Sequence, residues 1–512
     1  MPKHEQRPAA SPAPDREESH RVVIIGAGVG GSVTAFRLAR AGIDNVVLER
    51  GRRWPITPEG GTFPRIPSLD RRLLWLQGRA PRPGPRWLAH LIEAAGADAL
   101  FRSTGLLDVL VTKRFSVVCG AGVGGGTLVY GGILPQPRAD VFRRVFPAEI
   151  DYDELDRTYY PRARRRLMGT AFPDDLLAHP RYRSNRLWRD ALEHSGLATE
   201  QVVSTYDFDV VRAELDGTAT PSVTAGQYFF TGCDSGAKLS VDRTYLARAE
   251  QTGRTSVRPL HNVLDIARRR DGRYVVTAER LDTAGTPQER VALTCDRLVV
   301  AAGGVHTPRL LVTARDTGAL PDLDAAVGRQ WGTNGDQLPI IRTDDEPTGA
   351  PQAGPPNLLA RNGDGDMLVT HGGLPLPFET KLMLCAGVGV SDRFGHWSYS
   401  TAESRARLTW DPDNDTTARR AVTDLLRPIA AHLPSGAKTV NPTAAYPLIL
   451  HPLGGAAIGK ATDAYGRLHG YRGLYCLDSA LMPGSTAAAN PVLTIAAIVE
   501  RCLDHLIDEF AD

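Results

Sequence analysis

The sequence predicts an α/β fold with two domains, one built on a largely parallel sheet and the other on an antiparallel or mixed sheet. Residues 21–50 alternate as strand, helix and strand, and residues 297–304 form a β-branched run that ends in glycines. Residues 381–385 and 405–410 instead alternate apolar and polar side chains, which is typical of half-buried antiparallel strands. A chain of 512 residues is long enough for two such domains.

The first element pair has the spacing of a dinucleotide site. Residues 21–25 read as a buried parallel strand. In the loop that follows, Gly26 allows a tight turn, Gly28 lets the backbone approach a pyrophosphate, and Gly31 lets helix and strand pack closely. The helix that begins there ends at Gly42. Its first N–H groups and its dipole attract phosphate.

A second strand, residues 45–49, ends in Glu49, about 20 residues past the glycines, where a carboxylate can bind a ribose 2′-hydroxyl. The whole order predicts a Rossmann-like domain, and the acid disfavours a 2′-phosphate and therefore NADP. Residues 119–127 are also rich in glycine and permit contact between the backbone and a flat ring; the alternative is a flexible loop. After residues 297–304, Thr307 is expected to cap a helix with Pro308 at its first position.

A polar pair near the C-terminus has the chemistry of alcohol oxidation. His451 opens a Gly- and Pro-bounded stretch, and Asn490 stands directly before Pro491. Between them a strand-like run ends in Asp478. One member of the pair can take a hydroxyl proton while the other fixes the oxygen. Neither accepts a hydride, so the dinucleotide must. The alternative is a structural histidine.

Together these motifs resemble the glucose–methanol–choline (GMC) oxidoreductases and are most similar to the bacterial cholesterol oxidase group. The resemblance runs from about residue 20 to 508, and its further segments are 122–129, 146–155, 238–246, 314–321 and 451–462. It implies noncovalent FAD, with residues 122–127 against the isoalloxazine, Val263 at the adenine, and Asp478 and Pro491 near the polar edge of the ring. The expected cofactor-binding residues are Gly26, Gly28, Gly31, Glu49, Gly122, Gly124, Gly125, Gly126, Thr127, Val263, Gly303, Asp478 and Pro491.

The resemblance also implies an activity: oxidation of a bulky, mostly apolar secondary alcohol such as a sterol, terpenoid or polyketide. His451 and Asn490 would be its catalytic residues, and O2 or another acceptor would reoxidise the flavin. Three alternatives stay open. They are a flavin-dependent isomerase or cyclase without net redox, a cholesterol oxidase proper with isomerisation, and a flavin-bound partner subunit without catalysis.

The chain departs from the cholesterol oxidase pattern in its expected substrate pocket. Alignment through residues 375–380 places Thr370 where that group has a proton-shuttling glutamate, and a threonine hydroxyl cannot act as a carboxylate base. His371 is an alternative base, or else it packs. Tyr130 and Ile133 replace an asparagine and a methionine of the group. These changes predict a different alcohol or a different electron acceptor.

Composition excludes several classes of protein. Lys+Arg 60 against Asp+Glu 58 gives a net charge of +2, which argues against nucleic acid as a partner. The six cysteines are scattered without CxxC pairs, so we expect buried thiols and no metal site. The first 20 residues are expected to be a disordered tail, and no apolar run of membrane-spanning length occurs. These features predict a cytoplasmic location.

Domain boundaries follow from the motifs. Residues 51–101, with three tryptophans, are expected to form a lid, or to pack those tryptophans on the surface. The FAD domain is predicted to span 21–155, 225–335 and 448–512, and the substrate domain 156–224 and 336–447.

Overall fold

Two large sheets organise the molecule, one mixed with seven strands and one antiparallel with six. The structure is a computed structural model, and it describes residues 14–65, 70–77, 102–343, 345–391, 393–434 and 437–511. The predicted α/β class with a Rossmann-like sheet and a separate antiparallel sheet is confirmed. From residue 21 onward the strands of each sheet fall within the ranges predicted for the two domains, whose boundaries stay a prediction.

The seven-stranded sheet has a parallel centre that is buried on both faces. Val22, Ile24 and Val47 have no exposed surface, which explains the continuous β-branched runs in its sequence. Two strands at one side are antiparallel. From edge to edge the order is Thr255–Arg258, Asn45–Leu48, Arg16–Ile25, Pro287–Val300, Tyr274–Leu281 and His261–Arg268, with Leu474–Cys476 paired in parallel to the end of Pro287–Val300.

The six-stranded sheet buries one face beneath the helices Arg183–Ser195 and Thr416–Ala431. Trp188 of the first helix and Leu426 of the second pack against Val369 in the sheet. The opposite face carries a separate apolar group that includes Leu368. The strand order is Lys438–Val440, Ile340–Arg342, Leu382–Gly389, Met367–Gly372, Leu358–Arg361 and Ala198–Gln201.

The C-terminal helix Pro491–Ala511 packs on the helix Val29–Arg40 beside the first sheet. Arg37 reaches the carboxylate of Glu500, 2.6 Å away, whose side chain has no exposed surface. Removing one partner of a buried ion pair destabilises a protein, because the other charge is left without compensation. The ion pair therefore helps to hold the C-terminal helix in place.

Smaller elements connect the two sheets. The remaining helices include Ala139–Val145, Tyr152–Glu154, Tyr160–Arg166, Phe208–Leu215, Tyr245–Glu250 and Gly303–Asp316. The remaining strand pairs are Trp75–Gln77 with Arg102–Thr104, Leu107–Val111 with Ser116–Gly120, Leu448–Ile449 with Ser116–Gly120, Trp331–Gly332 with Leu453–Gly454, His396–Ser400 with Arg405–Thr409, and Thr170–Ala171 with Val203–Ser204.

Two expectations need correction. The tail predicted for residues 1–20 is wrong from Arg16 onward, because the first strand begins there and continues in register with Pro287–Val300; residues 1–13 lie outside the described residues. The helix Gly303–Asp316 begins before the predicted Thr307 cap. Pro308 fits inside it because the Trp331 indole N–H donates to the Gly304 carbonyl, 2.7 Å away, which would otherwise have lost its helical partner.

The expected lid is described only in part. Trp54 is buried and stacks on Phe63 with 5.4 Å between ring centroids. Trp75 is also buried, beneath the Arg50 guanidinium. These two tryptophans therefore pack into the protein. Residues 66–69 and 78–101, including Trp87, lie outside the described residues, so the lid itself stays a prediction.

Candidate active site

A cavity of about 640 Å³ opens where parallel strands of the first sheet end. Ile25, Leu48, Val300 and Cys476 are the last residues of four such strands, and the register brings these ends to one edge. Ligands of open α/β sheets bind outside the carboxyl ends of the strands. The cavity continues from this edge to the uncovered face of the six-stranded sheet, so both sheets contribute walls.

Most residues predicted from the sequence meet in this cavity. Gly31 does not line it; a side chain there would approach the Gly26 carbonyl oxygen to 1.9 Å, as expected for close helix packing. Gly122 and Gly124 do not line it either: a Cβ on Gly122 would meet Leu128 and Trp54, and a Cβ on Gly124 would meet Asp242 and Leu128. Their expected contact with the cofactor stays a prediction. The predicted residues that line the cavity are Gly26, Gly28, Glu49, Gly125, Gly126, Thr127, Tyr130, Ile133, Val263, Gly303, Thr370, His371, His451, Asp478, Asn490 and Pro491.

The glycine segments leave an open cradle. A Cβ atom on Gly28 or Gly126 would meet nothing within 4 Å, so both backbones border free space. A Cβ on Gly125 would come within 2.8 Å of the Gly28 Cα atom, so the two glycine loops touch. Such bare backbone fits a pyrophosphate and a flat ring. The residues therefore fit a flavin dinucleotide.

Glu49 lies at the end of its strand and lines the same cradle. Its carboxylate accepts the N–H groups of Ala27 at 3.0 Å and Gly51 at 2.8 Å. Burial raises the pKa of this carboxyl. Each carboxylate oxygen has a second acceptor position, so Glu49 can bind a ribose hydroxyl while it holds the glycine turn.

Asp478 lines the cavity and accepts hydrogen bonds from the protein, and its expected approach to the polar edge of the ring stays a prediction. Its Oδ2 atom accepts the Gly303 N–H and the Thr307 hydroxyl, both at 2.6 Å, and Oδ1 accepts the Ala480 N–H at 2.7 Å. Burial raises the pKa of the carboxyl. The protein thus occupies most of its acceptor capacity. Through these hydrogen bonds, Asp478 connects its own segment to the start of the helix Gly303–Asp316.

His451 forms a close pair with a buried acid. Its Nδ1 atom lies 2.5 Å from Oδ1 of Asp336. The other oxygen of Asp336 accepts the N–H groups of Leu450 at 2.7 Å and His451 at 2.8 Å. The Asp336 side chain is 3% exposed and that of His451 16%. The imidazole therefore has one nitrogen engaged by the protein and lies at the cavity wall.

Asn490 lines the cavity and has an unsatisfied amide oxygen. Its Oδ1 atom is buried without a hydrogen-bond partner within the described part of the chain. Ala488, two residues before it, has φ 56°, a left-handed backbone that costs a non-glycine residue free energy. Buried side chains hold this turn: Asn334 donates to the Ala489 carbonyl at 2.9 Å and Arg361 to that of Ala488 at 3.2 Å. These contacts fix the turn that places Asn490 at the cavity wall.

The residues that replace the cholesterol oxidase pattern have protein partners. The Tyr130 hydroxyl hydrogen-bonds that of Thr205, and burial raises its pKa. Ile133 belongs to the apolar group on the cavity face of the second sheet. The Thr370 hydroxyl donates to the Leu358 carbonyl at 2.9 Å. Tyr130 therefore narrows the pocket while its hydroxyl is engaged elsewhere.

His371 does not have the setting of a base. Its ring lies 5.5 Å from that of Trp188, between centroids, beneath the helices that cover the second sheet. Both ring nitrogens are buried and lack partners among the described residues. Burial lowers its pKa to about 3. The packing alternative describes His371 better.

Three contributors were not predicted from the sequence: Asp336, Asn334 and Arg361. Asp336 and Asn334 flank Gly335, where the chain was predicted to pass from one domain to the other. This position at a domain boundary is the one feature of the local sequence that could have indicated them. Their partners lie 115 and 155 residues away.

Comparisons with known proteins identify the family of this chain. Models described as GMC oxidoreductase match residues 97–315 and 401–498, and a model of an NAD(P)-binding Rossmann-like domain matches residues 24–54. The two GMC matches together span more than half of the chain. The protein belongs to the GMC oxidoreductase family. It is a flavin oxidoreductase that acts on CH–OH donors, and the family implies FAD.

Individual relatives are more distant. A cholesterol oxidase of Mycobacterium tuberculosis (strain CDC 1551 / Oshkosh) is 26% identical, covering 94% of this chain and 90% of that protein. A cholesterol oxidase of Acinetobacter baumannii is 23% identical, covering 94% of each. The crystal structure of pyridoxine 4-oxidase from Mesorbium loti superposes with a TM-score of 0.62 at 16% identity, covering 95% of this chain and 99% of that one, which shows the shared fold.

The described ranges contain neither a membrane-spanning helix nor a metal-binding group. No helix there is long and apolar enough to cross a membrane. No group of three His, Cys, Asp or Glu side chains in the described residues is arranged to hold a metal ion. Five of the six cysteines are buried and Cys119 is half-buried, all as free thiols.

Proposed function

We propose that this enzyme oxidises a bulky, mostly apolar secondary alcohol to its carbonyl, with noncovalent FAD as cofactor. The observation that carries the proposal is the meeting of His451, already oriented by Asp336, with the unsatisfied amide of Asn490 in one cavity. The same cavity ends in the open glycine cradle of Gly28 and Gly126. A base, a polar group and a nucleotide site thereby line one cavity.

The walls of the reactive end support an apolar substrate. The reactive end has few polar groups. The hydroxyl groups of Tyr130 and Thr370 hydrogen-bond to the protein, and Asn490 contributes an amide. Pockets of this kind bind by burying apolar area and use a few polar groups for orientation. The apolar side chains or aliphatic segments come from Tyr130, Ile133, Tyr228, Phe229, Phe230, Leu338, Pro356, Leu384, Ala386 and Val388.

The chain's own residues carry the proton. With Nδ1 engaged by Asp336, the Nε2 atom of His451 accepts the proton of the substrate hydroxyl. The Asn490 carboxamide orients the oxygen as it becomes a carbonyl. FAD, when bound, accepts the hydride from the alcohol carbon. Base catalysis of this kind contributes about 10²–10⁴-fold to a rate, and positioning in a closed site adds to it.

Isomerisation is not part of the proposal. Thr370, at the position of the expected glutamate, donates its hydroxyl to a backbone carbonyl, and His371 packs on Trp188. Noncovalent binding is proposed because residues 125–127 carry neither histidine nor cysteine. Flavin should therefore stay in the supernatant when the protein is precipitated with acid.

The test is His451→Ala, with the exposed His469→Ala as matched control. Both variants should purify yellow with the wild-type flavin content. Anaerobic mixing with a panel of polycyclic secondary alcohols should bleach wild type and His469→Ala, and bleach His451→Ala about 10²–10⁴-fold more slowly. Reduction of His451→Ala at the wild-type rate would contradict the assignment.

Two further readouts define the reaction. Bleaching that persists without air supports net oxidation, whereas a product isomer formed without bleaching would support the isomerase or cyclase alternative. Peroxide formation in air separates O2 from another electron acceptor.

A further inference from the structure

Asp336 contacts the His451 segment through both of its carboxylate oxygens. It accepts three N–H groups: two from the backbone of Leu450 and His451 through Oδ2, and one from the imidazole through Oδ1. The two backbone bonds fix the plane of the carboxylate. Because the carboxylate is nearly inaccessible to solvent, water does not compete for Oδ1.

These contacts determine which nitrogen of His451 carries hydrogen. A carboxylate only accepts hydrogen bonds, so Nδ1 must be the protonated atom of the neutral ring. Nε2 then holds the lone pair. Within the described chain, Nε2 has no hydrogen-bond partner, and the residue lines the cavity. The lone pair is thereby available to a ligand.

From this geometry we infer that Asp336 is the positioning residue that makes His451 a base, by fixing its tautomer and by stabilising the imidazolium once the substrate proton arrives. The inference rests on the proposed function. In the step, the O–H bond of the alcohol breaks, an Nε2–H bond forms, and the hydride leaves the carbon for the cofactor. The Nδ1–H bond stays intact, so Asp336 keeps its charge throughout.

The electrostatics of the neighbourhood favour this role. Asp415 is a second buried acid nearby, whose Oδ2 accepts the Thr333 hydroxyl at 2.8 Å while Oδ1 lacks a partner among described residues. Burial, with a contribution from the charge of Asp336, raises the pKa of Asp415 to about 6. The charge on Asp336 thus disfavours a second negative group close by. The same charge favours a positive imidazolium beside it, at low effective dielectric.

Asp336→Asn tests the inference sharply because it reverses the hydrogen-bond direction. The amide oxygen can keep the two backbone N–H groups, so the amide NH2 then faces Nδ1 and donates to it. The ring proton moves to Nε2, where it blocks proton acceptance. We expect flavin reduction at saturating alcohol to slow by about 10²–10⁴-fold, with the flavin spectrum and the half-saturating alcohol concentration unchanged. A purely structural role would instead shift flavin content or saturation.

Asp415→Asn is the matched control, since it removes a buried carboxylate of the same region that does not contact the imidazole; its reduction rate should stay within about threefold of wild type. The double variant His451→Ala/Asp336→Asn completes the cycle. If Asp336 acts through His451, the double variant should be no slower than His451→Ala alone. Losses that multiply, or an Asp336→Asn enzyme at the wild-type rate, would overturn the inference.

A measurement on the unmutated holoenzyme covers the case in which Asp336→Asn does not fold. Nitrogen NMR of histidine-labelled protein, with the His451 signals assigned by their loss in His451→Ala, should show hydrogen on Nδ1. Hydrogen on Nε2 would overturn the inference directly. Failure of the proposed function looks different: His451→Ala itself would then reduce at the wild-type rate.

Discussion

The two ends of the cavity are built by different means. At the nucleotide end the surface is bare backbone, and its shape comes from glycines that sit directly after strands. At the reactive end the surface is side chains, held by buried partners from distant segments. Asp336 holds His451 from 115 residues away, and Arg361 holds the Asn490 turn from 127 residues away.

This difference predicts two modes of failure. A cradle of backbone fails when an added atom occupies the ligand's space, without much harm to the fold. A constellation of side chains fails when a buried partner is lost, because the remaining polar group is left unpaired. Mutations at the two ends should therefore separate cofactor binding from stability and catalysis.

The largest effect is expected from Gly28→Val at the nucleotide end. Gly28 has an extended backbone with a negative φ of −75°, so a side chain needs no left-handed conformation there, and its Cβ would meet no protein atom within 4 Å. The variant should fold yet lose nearly all FAD, because the new side chain fills the space of the pyrophosphate. The ratio of flavin to protein absorbance measures this. Gly363→Val is the control, since its Cβ is also unobstructed but lies away from the cavity; colourless Gly363→Val, or yellow Gly28→Val, would break the comparison.

The next effect is expected from Arg361→Met at the reactive end. Methionine keeps the apolar stem but leaves the carbonyls of Ala488 and Gln136, bound at 3.2 and 3.0 Å, without a donor. We expect the unfolding free energy of the holoenzyme to fall by about 3 kcal/mol, measured by urea, with slower flavin reduction as the Asn490 turn loosens. Arg407→Met, which removes only an exposed ion pair with Glu403, should change stability by less than about 1 kcal/mol. Equal losses in both variants would contradict this division.

The same division explains what the sequence could predict. The glycines, Glu49 and the buried strands are local patterns, and the Rossmann-like sheet is confirmed. Most of the predicted nucleotide-binding residues line one cavity, and their contacts with a cofactor stay a prediction. His451 and Asn490 were singled out by their chemistry and by a family resemblance, and both line one cavity. Their roles, noncovalent FAD binding, the domain boundaries and the cytoplasmic location stay predictions.

The features that were not predicted depend on contacts between residues far apart in the sequence. Asp336 has no motif of its own, and its partner lies on the far side of a whole domain in sequence. The helix at Gly303 starts early because a tryptophan 27 residues away compensates for Pro308. The strand from Arg16 forms because a neighbouring strand, far along the chain, extends beside it. In each case a tertiary partner overrides the local signal.

The smallest effect is expected from His371→Leu, which tests whether His371 belongs to the reactive end of the cavity. The unfolded chain binds a proton at this histidine below about pH 6.5, whereas the folded protein resists protonation until its lowered pKa of about 3. Stability is therefore lost as pH falls through this interval, by up to about 1.4 kcal/mol per pH unit. His371→Leu removes that loss. Between pH 6.5 and 5, the unfolding free energy of the variant relative to that of wild type should rise by up to about 2 kcal/mol, as measured by urea titration. Flavin reduction should be unchanged. Thr370→Val, a neighbour without a titrating group, should keep the wild-type slope. If His371→Leu keeps the wild-type pH dependence of the unfolding free energy but loses flavin reduction, His371 takes part in the reaction and the packing interpretation is wrong.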